Sequence, residues 1–215
     1  SDSRHVDILI QSIRDQKRIL LLNGANTPNA ESVKVPDNIP VLSDVISNRM
    51  HHQNITVWDG MLTSMSGNWE QLQPEVLITT GKMVLSKALK KLLRNYPPKK
   101  HLHIGFENWI GDPFHSSPQQ LHIAELDLWR ILENAKMNTD YLQKWTSMSD
   151  QFQKNVLSWP VDEWNEMLIV QKLLGWLPKN SCVHLSNSMS VRYVSYVNQR
   201  KDLQIFSNRG TSGID

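Results

Sequence analysis

A single cysteine, Cys182, stands in the 215 residues of this chain. That excludes an internal disulfide and suits a reducing compartment, so a cytoplasmic location is expected. No apolar run approaches the ~18 residues that a membrane helix needs. The segment after Ser1 has no apolar stretch of the secretory kind. Charge of neither sign dominates: 23 Lys and Arg against 21 Asp and Glu leave a formal net charge of +2, which gives no case for nucleic acid or another polyanion as partner. The turn Asn23-Gly24-Ala25-Asn26 is not GxGxxG, so the dinucleotide fingerprint is missing. There is no HExxH helix, and one cysteine leaves little for a zinc site. Ser186 and Ser188 lack the GxSxG context of a hydrolase nucleophile. No internal repeat and no low-complexity linker divides the chain.

What is present is the pattern of a soluble α/β domain, with 40% hydrophobic and 20% charged residues. Short apolar runs end in small or polar residues: Arg18 to Leu22, Pro40 to Asp44, Ile55 to Trp58, Val76 to Thr80, His101 to Gly105, Cys182 to Leu185 and Leu203 to Phe206. Each reads as a strand buried on both faces. Apolar residues at helical spacing lie between them. Val6, Leu9, Ile10 and Ile13 form one stripe, and Val84, Leu85, Ala88, Leu89, Leu92 and Leu93 form another. From Gln119 to about Trp176 the pattern is helical. The expectation is one doubly wound α/β domain, residues 1–215, with a mainly parallel sheet of about six strands and helices on both faces.

The carboxyl edge of such a sheet is where ligands bind. Two apolar runs deliver small polar residues and one arginine there. Cys182 to Leu185 leads into Ser186-Asn187-Ser188 and a helical pattern carrying Arg192. Leu203 to Phe206 leads into Asn208-Arg209-Gly210. Lys87, near the start of the helix after Val76 to Thr80, adds a third cation, and convergence of the three on a dianion requires those strands to be neighbours. The other lysines between Lys82 and Lys100 read as a solvated flank. His51, His52, His101 and His103 read as strand-end or surface histidines, Cys182 as a small buried hydrophobe, Asp112 as a turn residue and the tryptophans as packing. From the residues alone the chain looks more like a binding module than a complete enzyme, and a non-catalytic nucleotide- or effector-binding module stands as an alternative function.

The motif NSMSVR, followed by SNRGTSGID, is similar to the junction between the central and C-terminal domains of the MenD family, the thiamine-diphosphate-dependent 2-succinyl-5-enolpyruvyl-6-hydroxy-3-cyclohexene-1-carboxylate synthases of menaquinone (vitamin K2) biosynthesis. RILLLNGAN, PVLSD, LQPEVLITTG with SKAL, the GDP turn and WNEMLIVQKLLGWLP support the resemblance in the same order, so it covers nearly the whole chain. It implies the Rossmann-like central domain of a three-domain transferase, a homo-oligomer when full length. That enzyme decarboxylates 2-oxoglutarate and joins the product to isochorismate. Thiamine diphosphate and Mg²⁺ are expected on the other two domains, with no metal, no catalytic residue and no turnover in this chain alone. By the same resemblance Arg192, Arg209, Ser188, Asn187 and Lys87 face substrate carboxylates. Thr79 stands where many relatives carry arginine, and Ser190 where many carry proline or a hydrophobic residue. Ser1, which is not Met, and Asp215, just past a glycine-rich turn, read as cuts, with Ser212 to Asp215 beginning a link to a further domain. No nucleic acid or membrane partner is expected.

Overall fold

The computed structural model of this chain describes residues 1–25, 36–65, 69–106, 111–135, 139–158 and 165–208. Among them, β1 (Ile19–Asn23), β2 (Val41–Ser43), β3 (Val76–Thr80), β4 (Lys100–Ile104) and β5 (Gln119–Leu121) form one sheet in the order β2-β1-β3-β4-β5. Every pair in it is parallel. All five residues of β1 and the first four of β3 are buried. This is what continuous Leu/Ile/Val runs achieve when helices cover both sheet faces.

Alternation along the strands sends neighbours to opposite sides. Leu20, Leu22, Leu42 and Leu77 face a cluster with Trp58, Met61 and Leu62 of α2 (Trp58–Ser64), Leu89, Leu92 and Leu93 of α3 (Lys87–Asn95), and Tyr141 and Trp145 of α5 (Thr139–Leu157). Ile19, Leu21, Val76, Ile78 and Leu102 face the other way. There they meet Leu9 and Ile13 of α1 (Ser3–Ile13) and Leu128, Trp129 and Leu132 of α4 (Glu125–Glu133). The expected doubly wound α/β domain is what forms.

The sequence expectation of one sheet of about six strands needs adjustment at three places. First, β6 (Cys182–Leu185) and β7 (Gln204–Ser207) pair in parallel as a separate two-stranded sheet. With α6 (Glu166–Trp176) and α7 (Met189–Val197) they enclose their own cluster, which includes Leu174, Val191, Val194, Val197, Leu203 and Ile205. Second, Ile55 to Trp58 is no strand. The side-chain oxygen of Asn54 accepts the Val41 amide at 2.7 Å, and the Asn54 and Ile55 amides reach the Val41 carbonyl. The chain therefore turns at the edge of β2, Val57 takes a left-handed φ of 44°, and α2 starts at Trp58. Third, Gln119–Leu121 pairs with β4 and is a strand, while the helix read from Gln119 begins at Glu125.

Trp58, Trp69, Trp129 and Trp145 are buried, as packing residues should be, whereas Trp176 is 74% exposed. Trp109, Trp159 and Trp164 lie outside the described residues.

Candidate functional site

The turn after β6 holds most of the residues singled out from the sequence. Ser186 and Ser188 are exposed and Asn187 is half-buried. Ser188 precedes α7 with φ 65° and ψ −120°, and its side chain makes no capping bond. A non-glycine residue held at such angles is strained, and strain of this kind gathers at functional turns. Parallel pairing sets Leu185 opposite Ser207, so the turns after the two strands adjoin. The Asn187 side-chain amide donates to the Asn208 carbonyl, and the Ser207 hydroxyl lies 3.4 Å from the Asn187 side-chain oxygen. The first motif is thereby tied to the residue just before Arg209. Arg209 itself lies outside the described residues.

Arg192 is the fourth residue of α7 and is half-buried. One terminal nitrogen approaches the Met189 sulfur at 3.8 Å. Its buried Nε has no hydrogen-bond partner among the described residues. A buried N–H without an acceptor is costly, which makes this guanidinium a candidate anion contact.

Asp59, on α2, sits between the start of α3 and the middle of α7. Its carboxylate accepts the Ser86 hydroxyl through one oxygen, and the Ser195 hydroxyl lies 2.6 Å from the other. Ser86 also takes the Leu89 amide at 3.0 Å and so caps α3. Burial pushes the Asp59 carboxyl above its ordinary range. The two hydroxyls and then the positive charge of Arg192 pull the other way.

Lys87 follows Ser86 and is exposed. It borders a cleft of about 610 Å³ with Leu62, Met65, Trp69, Lys91 and Tyr196. Tyr196 is one helical turn beyond Arg192 on the same side of α7. Asp59 thus ties the start of α3 to α7 through the Ser86 and Ser195 hydroxyls. The strands required to be neighbours for a convergence along one sheet edge are not: β3 belongs to the five-stranded sheet and β6 and β7 to the other. Asp59 stood out in the sequence only as a carboxylate after an apolar run, and Ser86 and Ser195 were not separable from ordinary polar helix residues.

The remaining candidates divide. Asp112 is the turn residue expected, accepting the Ser116 and Ser117 amides at 3.0 and 2.9 Å. Lys91 lies 5.3 Å over the Trp69 ring and Lys99 pairs with Glu75 at 2.9 Å. His101 and His103 lie within the five-residue strand β4, and of the two expectations, strand-end or surface, the surface one fails for His52, His101 and His103, which are buried. The Thr79 hydroxyl is 2.9 Å from both His101 Nε2 and His103 Nδ1, and Ser116 Oγ is 2.8 Å from His101 Nδ1. These bonds satisfy polar atoms that would otherwise oppose burial. Desolvation pushes His101 down to about 4, so it is neutral at ordinary pH. Cys182 is exposed, against the expectation of a buried thiol. Its strand alternates exposed and half-buried residues, because a two-stranded sheet is covered on one face only. Among the described residues, no three His, Cys, Asp or Glu side chains group as a metal site, and no helix is long and apolar enough to cross a membrane.

Comparison with known proteins shows what the chain is similar to. No family model matches the chain. The chain is 29% identical over 211 residues to the 2-succinyl-5-enolpyruvyl-6-hydroxy-3-cyclohexene-1-carboxylate synthase of Flavobacterium johnsoniae, covering 93% of this chain and 38% of that protein. It is 29% identical over 222 residues to the synthase of the same name from Flavobacterium psychrophilum, covering 98% and 40%. A 146-residue match to the one from Bacteroides thetaiotaomicron is 32% identical, covering 67% and 26%. The chain spans about two fifths of the length of the first two relatives.

Proposed function

We propose that this chain, which corresponds over nearly its whole length to a part of the MenD synthases, serves as the central domain of such an enzyme and presents substrate-carboxylate contacts at the turns after β6 and β7. The observation that carries the reading is Arg192. It is a half-buried guanidinium whose Nε has no partner among the described residues, on the helix that follows the strained Ser188 turn. In the proposed reaction 2-oxoglutarate loses carbon dioxide and the remaining succinyl unit joins isochorismate. Both substrates carry carboxylates, for which a guanidinium fork is the fitting donor. Arg192 and Arg209 bind these groups, Asn187 and Ser188 set the turn that positions them, and Lys87 adds positive charge from α3.

Thiamine diphosphate, with Mg²⁺, supplies the decarboxylation chemistry in this reading. The described residues of this chain do not fit either group. They contain no grouped metal-ligand set, and the turn after β1, where a phosphate-binding loop would fall, is packed on the strand beside it. A Cβ at Gly24 would lie 2.9 Å from the Lys82 carbonyl oxygen. In this reading cofactor and metal belong to the remaining three fifths of the enzyme, and the chain alone is expected to show no turnover. The full-length protein is proposed as a homo-oligomer.

The test uses the full-length enzyme with thiamine diphosphate and Mg²⁺. Consumption of 2-oxoglutarate is followed with and without isochorismate for wild type and Arg192→Ala. Isochorismate-dependent turnover, reduced at least about 100-fold in the variant by loss of a charge-assisted contact in a dry site, supports both reaction and residue. Full activity of Arg192→Ala removes the residue assignment, and an inactive, folded wild type removes the reaction.

A further inference from the structure

The Ser195 hydroxyl, on α7, has two oxygen neighbours and a single hydrogen. Its Oγ lies 2.6 Å from Asp59 Oδ2 and 2.8 Å from the Arg192 carbonyl oxygen. A hydroxyl donates once and can also accept, whereas a carbonyl only accepts. A serine that bonds the carbonyl three residues back is an ordinary helical arrangement. Both contacts are hydrogen bonds when the Ser195 hydrogen goes to Arg192 and a hydrogen on Asp59 Oδ2 goes to Ser195.

The other carboxyl oxygen is accounted for from the opposite side. The Ser86 hydroxyl accepts the Leu89 amide at 3.0 Å, so its own hydrogen is free for Asp59 Oδ1. Oδ1 is thus the acceptor, and Oδ2 is left to carry a proton. The donors then run in one direction, from the Leu89 amide to Ser86, to Asp59, to Ser195 and to the Arg192 carbonyl. Hydrogen bonds aligned in this way polarise and strengthen one another.

The surroundings suit a neutral carboxyl. Asp59 is 4% exposed. The charges that reach it are those of Arg192 on α7, Lys90 on α3 and, past the end of β2, Asp44. From α5 comes the uncharged ring of Phe152, which a Cβ at the next residue, Gly60, would meet at 2.7 Å. Burial outweighs the two cations and the two hydroxyls, and holds the carboxyl above its ordinary range.

We propose that Asp59 is a positioning residue for Arg192, holding a proton on Oδ2 that bonds Ser195 and so leaves the Ser195 hydrogen for the Arg192 carbonyl. This role rests on the reading of Arg192 as a substrate-carboxylate contact. Ionised, Asp59 would take the Ser195 hydrogen, release the carbonyl and set a negative charge against the guanidinium. Neutral, it fixes the turn of α7 that carries Arg192 and leaves the guanidinium charge to the substrate.

The test uses the full-length enzyme at about pH 7.5, above the value of about 6 at which Asp44 loses its own proton. An infrared difference spectrum, wild type minus Asp59→Asn, shows the C=O band of a protonated carboxyl with no substrate present. Asparagine reproduces protonated aspartate, with an N–H in place of the O–H. Asp59→Ala breaks the chain of donors and lowers kcat/KM for 2-oxoglutarate at least about tenfold, and Asp59→Asn rescues it to within about threefold of wild type. Ser195→Ala leaves the carboxyl in place and lowers kcat/KM as Asp59→Ala does, which keeps the test open if Asp59→Ala does not fold. Absence of the band, a kcat/KM in Asp59→Asn as low as in Asp59→Ala, or a wild-type kcat/KM in Ser195→Ala overturns the proposal. Full activity of Arg192→Ala removes the reading beneath it, and the band, which needs neither substrate nor turnover, tells the two failures apart.

Discussion

Asp44 sits between β2 and the turn that follows it, 2% exposed, and accepts the Leu85 amide at 2.6 Å and the Ile46 amide at 3.2 Å. Burial outweighs both bonds and raises its carboxyl from 3.8 to about 6. The folded chain therefore holds this proton up to about pH 6 while the unfolded chain releases it near 3.8, so the contribution of Asp44 is present at low pH and is lost as pH rises through that window. His101 works in the opposite direction. Its folded value of about 4 lies below the ordinary 6.5, so its cost appears as pH falls from 6.5 toward 4. The two offset each other in the wild-type curve, and a variant separates them. Relative to wild type, Asp44→Asn gains roughly 2 kcal/mol between pH 4.5 and pH 7.5, read from urea midpoints at the two pH values. A difference that does not change with pH removes the assignment of a buried, protonated Asp44.

The same residues show how much of the chain was legible. Alternation put His101 and His103 on one face of a strand, which is correct. Their burial was not legible, because the hydroxyl that satisfies both rings belongs to Thr79 on the adjacent strand, and the pairing of Thr79 with His103 is a matter of register. Cys182 was misjudged for the converse reason. An apolar tetrapeptide carries no mark of how many strands will flank it.

At the scale of elements, α3 depends on one hydroxyl. Ser86 caps the helix through the Leu89 amide and donates to buried Asp59. Loss of an N-cap costs about 1 kcal/mol, and leaving a buried carboxyl short of a donor adds about 1–2 kcal/mol. Ser86→Ala is therefore expected to destabilise the chain by about 2–3 kcal/mol. In an Asp59→Ala background the same substitution should cost only the cap, about 1 kcal/mol. Equal costs in both backgrounds, by urea denaturation, mean that Ser86 and Asp59 are not coupled. Long periodic elements such as α1 and α3 were legible because packing agrees with the apolar stripe. The three-residue β5 was not, since Gln119-Gln120-Leu121 has no strand signature and owes its form to β4. Ile55 to Trp58 had the β-branched composition of a strand, but the side chain of Asn54 closes the edge of β2 and turns the chain inward.

At the scale of the whole molecule, the described residues form two sheets of unequal protection, and this division was the least visible feature. Apolar runs reveal strands but not which strands pair. The resemblance spans both sheets continuously, so it gives no boundary either. The division carries a functional cost. The substrate-facing turns proposed here hang from β6 and β7, each of which has one strand neighbour, whereas β1 and β3 each have two. β6 alternates exposed and half-buried positions, whereas β1 is buried throughout. Strands with fewer ladder bonds and wetter faces open more readily. Amide hydrogen exchange under native conditions should therefore rank β1 and β3 slowest, with exchange through global unfolding. β6 and β7 should exchange at least about 100-fold faster through local opening, a difference of some 2.7 kcal/mol. In this chain by itself, that opening frees Arg192 and the Asn187 turn from their fixed geometry. Equal protection of β7 and β1 would instead mean that the Asn187 bridge and the cluster around Val191, Val194 and Ile205 hold the two sheets as one cooperative unit, with the substrate-facing turns as rigid as the core.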